Sequence, residues 1–374
     1  MRQFNRFVQQ QKPFFTVQPK LLLNQINLWK YQLPNIQPHY AVKCNNDDIL
    51  LKQLADNDIN FDCASLGEIK QIKNLEIDSN KIIYANPYKG KNDFAYAVDN
   101  KVPLTVVDSI EELQKIQSQL KNKKIETLIR LKVEDKDSLM PFSSKFGASY
   151  EEAISILKLA KKLNINIPGF SFHVGSGCYN PNQYFEAVKL THDVMHKSLQ
   201  NIETSHKYSI VDIGGGFTGS CDEKFIDQAN KIKEGIELFK SSPDLNNNLR
   251  FISEPGRFFM TKSHTLYVPI IAKRKTNGKI FYIVDESIYS SFSNIIFDMA
   301  KPDLKIISKV KNSKLVHDSV IFGRTCDSAD KVLEMKLPEL EIGNYFKIKN
   351  MGAYTTASST NFNGFESTEK VYLC

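Results

Sequence analysis

The six cysteines, Cys44, Cys63, Cys178, Cys221, Cys326 and Cys374, stand far apart and form no C-x-x-C pair. That spacing argues against a zinc ribbon or a disulfide framework and fits a reducing, cytoplasmic compartment. Missing too is any apolar run of membrane-spanning length, and the basic opening stretch 1–12 has no apolar core of the kind a signal peptide needs. The net charge of +7 is not gathered into blocks, because the lysines are scattered among Asp and Glu. It serves solubility and weak phosphate steering, and it makes no case for a nucleic-acid or membrane partner. Repeats and low-complexity tracts are absent, and little chain follows Phe365 to act as a regulatory tail.

What is present suits a large globular protein. With 374 residues, 41% hydrophobic and 24% charged, the chain is long enough for one large barrel and a second domain. A strand at 14–17 precedes a helical stretch at 19–33, stopped by Pro34. The run 40–46 reads as a short buried strand with Lys43 in its middle, breaking into polar residues toward its C-terminal end. Helix and strand signals then alternate: helices at 48–57, 66–74, 109–120, 150–163, 182–199 and 223–240, and strands at 60–63, 81–85, 103–107, 127–131, 169–173, 208–213 and 251–254. Eight strands, most followed by helices, are the pattern of a (β/α)8 barrel. Past Arg257 the texture changes to strands at 264–271, 279–284, 319–322 and 345–348 with little helix between them. The expected architecture is therefore α/β + β: a barrel over 19–263, a C-terminal β domain over 264–374, and a segment 1–18 packing with the β domain.

Polar residues recur at the strand ends, at Lys43, Asp62, Arg130, His173, Asp212 with Gly214, and Glu254. That rim is where the loops of a barrel converge on one ligand. A lysine desolvated there is an amine nucleophile able to form a Schiff base. The runs Gly175-Ser176-Gly177 and Gly214-Gly215-Gly216 follow strands and precede helices, so bare backbone can meet a phosphate, and Gly256-Arg257 adds a cation for the same anion. Residues 214–219 satisfy G-x-G-x-x-G, but a dinucleotide fold needs that motif in its first βαβ unit. A lysine, a phosphate cradle and a carboxylate for a ring nitrogen are what pyridoxal phosphate requires. His192 and His196 have zinc-like spacing, yet Asp193 replaces the glutamate such a site needs, and a surface pair on an outer helix is the better reading.

The segments PHYAVKCN, FDCAS, IIYANP, KFGA, FHVGSGC, DIGGGF, EPGR, FDMA, TCDSAD and NMGAYT run in order along nearly the whole chain. On these it resembles the eukaryotic ornithine decarboxylases, pyridoxal-phosphate enzymes with an alanine-racemase-like fold. The resemblance implies that Lys43 carries the cofactor, His173 stacks on its ring, Glu254 pairs with the pyridine nitrogen and Asp62 supports Lys43. Arg130, Ser176, Gly214, Gly215, Gly216, Gly256, Arg257 and Tyr354 would complete the cofactor site. Asp298, Asp327 and Tyr289 would receive the substrate's distal ammonium, and Cys326 would direct protonation after CO2 leaves. It further implies a homodimer with shared active sites, Cys326 and Asp327 coming from the partner subunit and Lys145 pairing with Asp330 across the interface. The expected reaction is conversion of L-ornithine to putrescine.

The chain departs from that pattern in two places. Phe297 stands where a tyrosine is usual, and Ser328 and Ala329 stand where relatives have Gly and Leu. A changed loop at Ser328 leaves lysine or arginine as alternative substrates. A catalytically inactive regulatory homologue is the alternative from another class, against which the intact Lys43, Glu254 and Cys326 argue.

Overall fold

The computed structural model describes residues 2–120, 123–201, 207–245, 248–308 and 314–373, so Cys374 lies outside the described residues. It divides into two compact units, Gln25–Phe258 and Met1–Asn24 with Phe259–Cys374.

The first unit is a closed barrel of eight parallel strands: β1 (Ile36–Ala41), β2 (Asn60–Cys63), β3 (Ile82–Tyr84), β4 (Leu104–Val107), β5 (Glu126–Arg130), β6 (Gly169–Ser171), β7 (Ile210–Asp212) and β8 (Arg250–Ser253). They pair in chain order, and β8 closes on β1 through Phe251 opposite Ile36. Buried apolar strand residues, among them Ile83, Leu104, Val106, Leu128, Ile210 and Ile252, form a packed centre, as expected where strands are covered on both faces. Side chains cap the helices that return the chain. Asp47 caps Asp48–Ala55, Ser65 caps Leu66–Asn74, and Ser149 with Glu152 forms a capping box on Tyr150–Leu163. Trp29 packs among Phe217, Phe225 and Phe258 with ring centroids 5.0, 5.7 and 5.5 Å away. None of the described helices is long and apolar enough to cross a membrane.

Several local expectations need correction. The first barrel strand begins earlier and stops at Ala41, so Lys43 lies beyond it in the 3-10 turn Val42–Cys44. Neither glycine run opens directly into a helix. Ser176–Cys178 is a short strand paired antiparallel with Ser138–Met140, and the following helices begin only at Asn182 and Asp222. The helix Lys91–Asp99 was not expected, because its buried side is only Phe94, Ala97 and Val98.

The second unit is an eight-stranded sheet. Its longest strand, His264–Thr276, pairs antiparallel with Tyr345–Ile348, Lys279–Val284 and Phe14–Val17, and Phe14–Val17 also runs parallel to Lys370–Tyr372. Phe7, Phe14, Tyr267, Tyr345 and Val371 make one buried cluster, with Phe14 stacked on Tyr267 at 4.8 Å. The helix Arg2–Gln9 and the strands Leu304–Ile306, Lys331–Pro338 and Lys370–Tyr372 were not anticipated. Lys331–Pro338 buries Val332 and Leu337 and exposes Lys331, Glu334 and Lys336, a charged pattern that protects a sheet edge.

Candidate active site

The C-terminal ends of the barrel strands gather the polar residues. Lys43 Nζ lies 3.3 Å from Asp62 Oδ2, with the lysine side chain 47% exposed and the aspartate 1%. The desolvation expected for Lys43 is therefore not found. The turn after Ala41 carries the lysine out of the core, and a buried carboxylate holds its ammonium.

Asp212 ends β7 and Glu254 follows β8, and their carboxyl groups are within hydrogen-bonding reach of each other. Asp212 is fully buried. Its Oδ1 accepts the Gly214 N–H at 2.9 Å, while its Oδ2 meets no N–H donor among the described residues. Burial pushes Asp212 up to about 6. Burial and the charges of Asp212 and Asp62 push Glu254 well above the usual carboxylate range. Crowded carboxyls cannot all ionise, so the pair retains a proton. Arg130, the last residue of β5, sits among the charges of Glu254, Asp108, Asp212 and Asp62, and its guanidinium lies over the Phe146 ring at 4.8 Å.

His173 follows β6. Its Nδ1 accepts the Gly175 N–H at 3.0 Å, which assigns the proton of the neutral ring to Nε2. Burial, Arg130 and Lys43 drive its pKa well down, so the imidazole is uncharged at neutral pH. Phe142 packs against it with ring centroids 4.9 Å apart. Phe142 is placed in turn by Asp135, whose carboxylate accepts the N–H groups of Phe142 and Ser143.

The glycines at 214–216 are there for close approach. A Cβ on Gly214 would fall 2.1 Å from the Phe172 carbonyl oxygen, and one on Gly215 would fall 2.6 Å from that of Glu254. Gly214 and Gly216 also have φ of +62° and +100°. Their carbonyls are all engaged: Gly214 by Glu254 N and Ser253 Oγ, Gly215 by Tyr184 Oη, and Gly216 by Cys178 N. The N–H groups of Gly215 and Gly216 meet no protein acceptor among the described residues. Arg257, just after Gly256, donates to Ser176 Oγ at 3.0 Å. Backbone donors, a hydroxyl and a guanidinium on these converging loops form an anion cradle.

The remaining named residues belong to the second unit, except Lys145, which lies in the barrel unit with its Nζ 4.9 Å over Phe146. Asp330 is fully buried and accepts from Ile288 N, Thr325 N and Thr325 Oγ1, so it organises the 325–330 loop, and any pairing with the partner subunit's Lys145 would add to these three bonds. Tyr289 Oη donates to Asp327, which holds the tyrosine pKa up and the carboxylate down. Asp298 is 5% exposed at the end of the helix Asn294–Phe297, and Phe297 beside it is 61% exposed. Cys326 is exposed. Tyr354 has φ of +54°, a conformation costly for a tyrosine.

The profile of the pyridoxal binding domain of pyridoxal-dependent decarboxylases matches residues 20–261. The chain belongs to the pyridoxal-dependent decarboxylases. A probable ornithine decarboxylase of Dictyostelium discoideum is 39% identical over 372 residues, covering 94% of this chain and 77% of that protein. The agmatine-bound crystal structure of the Paramecium bursaria Chlorella virus arginine decarboxylase superposes with a TM-score of 0.90 at 35% identity, over 97% of this chain and 96% of that one. A putrescine complex of the lysine/ornithine decarboxylase of Vibrio vulnificus gives 0.87 at 32% identity, over 100% and 97%.

The residues of this decarboxylase fit pyridoxal phosphate. The glycine N–H groups, Ser176 and Arg257 suit its phosphate, and the Glu254 and Asp212 carboxyls suit a protonated ring nitrogen. Lys43 is the exposed amine of the set. Sequence reasoning passed over Glu68 and Phe142, and it noted Asp212 without giving it a role. Glu68 accepts Ala64 N at 2.6 Å and lies in the field of Asp62 and Lys43. Its signal was the Ser65-x-x-Glu68 capping pattern at a strand end. Phe142 lies in a long loop with no local signal.

Proposed function

We propose that this decarboxylase converts L-ornithine to putrescine and CO2 with pyridoxal phosphate, in the cytoplasm, as a homodimer whose sites are shared. The observation that carries the reading is the rim of the barrel: an exposed lysine held by a buried aspartate, beside a buried carboxyl pair and an anion cradle. Bound pyridoxal phosphate supplies an electron sink for the carbon that loses CO2.

The chain's residues do the rest. Lys43 attaches the cofactor through its amine, and Asp62, 3.3 Å away, steadies the ammonium and exchanges its proton. Glu254, supported by Asp212, would hand the proton the pair retains to the ring nitrogen of bound pyridoxal phosphate and then face it as a carboxylate, which would keep that nitrogen protonated. Neutral His173, braced by Phe142, presents a flat face for stacking without placing a second cation near that nitrogen. Gly214 to Gly216, Ser176, Gly256, Arg257 and the strained Tyr354 take the phosphate. Asp298, the partner subunit's Asp327 and the partner subunit's Tyr289, which is bonded to that carboxylate, receive the distal ammonium, and an uncharged analogue would leave these carboxylates without their cation. The partner subunit's Cys326 returns a proton to the substrate carbon.

Release of CO2 from ornithine, lysine and arginine, with pyridoxal phosphate added, tests the reading. Ornithine should lead in kcat/KM by about 10- to 200-fold per misfitted methylene. Arginine or lysine turned over as well as ornithine would overturn the substrate and direct attention to Ser328 and Phe297. Release of CO2 from none of the three would favour the inactive homologue.

A further inference from the structure

Cys326 sits on a loop, and both its main-chain N–H and its side chain are held by a residue 37 positions further along the chain. The stretch 360–364 is exposed, with only the 3-10 turn Phe362–Gly364 as regular structure, yet it is fastened at several points. Thr360 N and Oγ1 both donate to the Tyr289 carbonyl at 2.9 Å. The Phe362 ring stacks on Tyr289 with centroids 4.3 Å apart. Asn363 Oδ1 then accepts from Cys326 N at 3.2 Å and from Cys326 Sγ at 3.5 Å.

We propose that Asn363 is the positioning residue for Cys326: its amide oxygen aims the thiol and so decides where the proton returns after CO2 has left. The proposal rests on the role given to Cys326 above. The orientation of the amide is fixed by chemistry, since a backbone N–H can only donate and the group facing it must be the oxygen. One oxygen thus ties the sulfur to its own main chain. The turn exists to place this side chain. Asn363 has φ of +56°, a conformation asparagine tolerates better than other non-glycine residues. Gly364 follows at +76°, and a Cβ there would meet nothing within 4 Å, so its glycine answers the backbone angle and not a crowded neighbour. Two successive left-handed residues bring the Asn363 amide to Cys326.

When the C–C bond breaks, CO2 leaves and its electron pair stays on the remainder. A proton delivered to the substrate carbon gives the diamine. Delivered instead to the cofactor's carbon, it lets water release an aminoaldehyde, while the nitrogen stays on the cofactor and stops further turnover. The aldehyde share of CO2-releasing turnovers therefore reads the aim of the thiol.

Four variants test this in the purified holoenzyme with ornithine: Asn363→Gly, Asn363→Asp, Cys326→Ala, and the double Cys326→Ala with Asn363→Gly. Iodoacetamide labelling of Cys326, followed by peptide mass analysis without substrate, gives a second readout that does not depend on turnover. Asn363→Gly keeps the backbone angle and loses the oxygen, so the aldehyde share and the labelling rate should each rise about fivefold, the worth of one hydrogen bond. Asn363→Asp keeps an oxygen acceptor and should match the wild type in aldehyde share. The double variant should produce no more aldehyde than Cys326→Ala alone. Wild-type values of either readout in Asn363→Gly, or an additive double variant, overturn the proposal. If the wild type releases no CO2 from ornithine, the functional reading fails on its own, and the labelling comparison still decides whether Asn363 holds the thiol.

Discussion

The carboxyl pair at the ends of β7 and β8 leaves a mark on stability that can be measured without any substrate. Asp212 is pushed from the ordinary 3.8 up to about 6. In cofactor-free protein the folded state thus keeps a proton that the unfolded chain has lost across the window between those values. Stability falls as pH rises through that window, and the penalty is complete above about 6. A rise of that size corresponds to ~3 kcal/mol for Asp212 itself, and losing its charge also relieves Glu254. Asp212→Asn removes the ionisable group but keeps the Oδ1 that accepts the Gly214 N–H. The cofactor-free variant should match the wild type near pH 4 and unfold at a temperature higher by roughly 6 to 12 °C at pH 7.5, for a unit of this size. Trp29 is the chain's single tryptophan and lies in the barrel unit, so its fluorescence follows that unit alone. A melting difference that does not change with pH, or a variant less stable at every pH, would refute the reasoning about the pair.

Three further outcomes follow from the same site. Protein purified with pyridoxal phosphate should absorb visible light and be labelled at Lys43 by borohydride, and Lys43→Ala should lose both; labelling at another residue sinks the assignment. Gly214→Ala forces a Cβ to within 2.1 Å of the Phe172 carbonyl at a left-handed backbone angle, so cofactor affinity in a spectroscopic titration should drop at least tenfold, and unchanged affinity counts against the cradle. Mixing equal amounts of Lys43→Ala and Cys326→Ala homodimers should restore about a quarter of wild-type activity, because about half the dimers are then mixed and each has one intact site; tagged chains that exchange without any recovery mean that sites are not shared.

The barrel was legible because its strands repeat one unit. Buried runs such as Leu104–Val107, followed by a helix capped by Ser109, declare themselves within a few residues. The strand ends were legible for the same reason, since a polar residue that breaks an apolar run marks the rim wherever it falls. The second unit offered less. Its sheet joins Phe14–Val17 to strands near the far end of the chain, and Lys370–Tyr372 is too short to show a period of two. Lys43 was misplaced by a few residues because Tyr40, Ala41, Val42 and Cys44 are all buried, and an unbroken apolar run hides the point where strand becomes turn.

Hydrogen bonding between distant loops was the part that could not be read, and it shapes much of the chemistry. Asp212 looks like an ordinary strand-end aspartate until the Glu254 carboxyl is found beside it, and neither residue type predicts that the two together retain a proton. The Thr360-Asn361-Phe362-Asn363-Gly364 stretch reads as a polar turn, which it is. Its importance comes from Tyr289 and Cys326, which it reaches across the fold of its own unit. Motifs specify which reactive groups are present, whereas their protonation and aim are set by neighbours that lie far off in sequence. Variants at Asp212 and Asn363 are therefore informative in a way that variants at Lys43 are not. They leave the reactive groups in place and alter only the charge or direction of the proton that those groups handle.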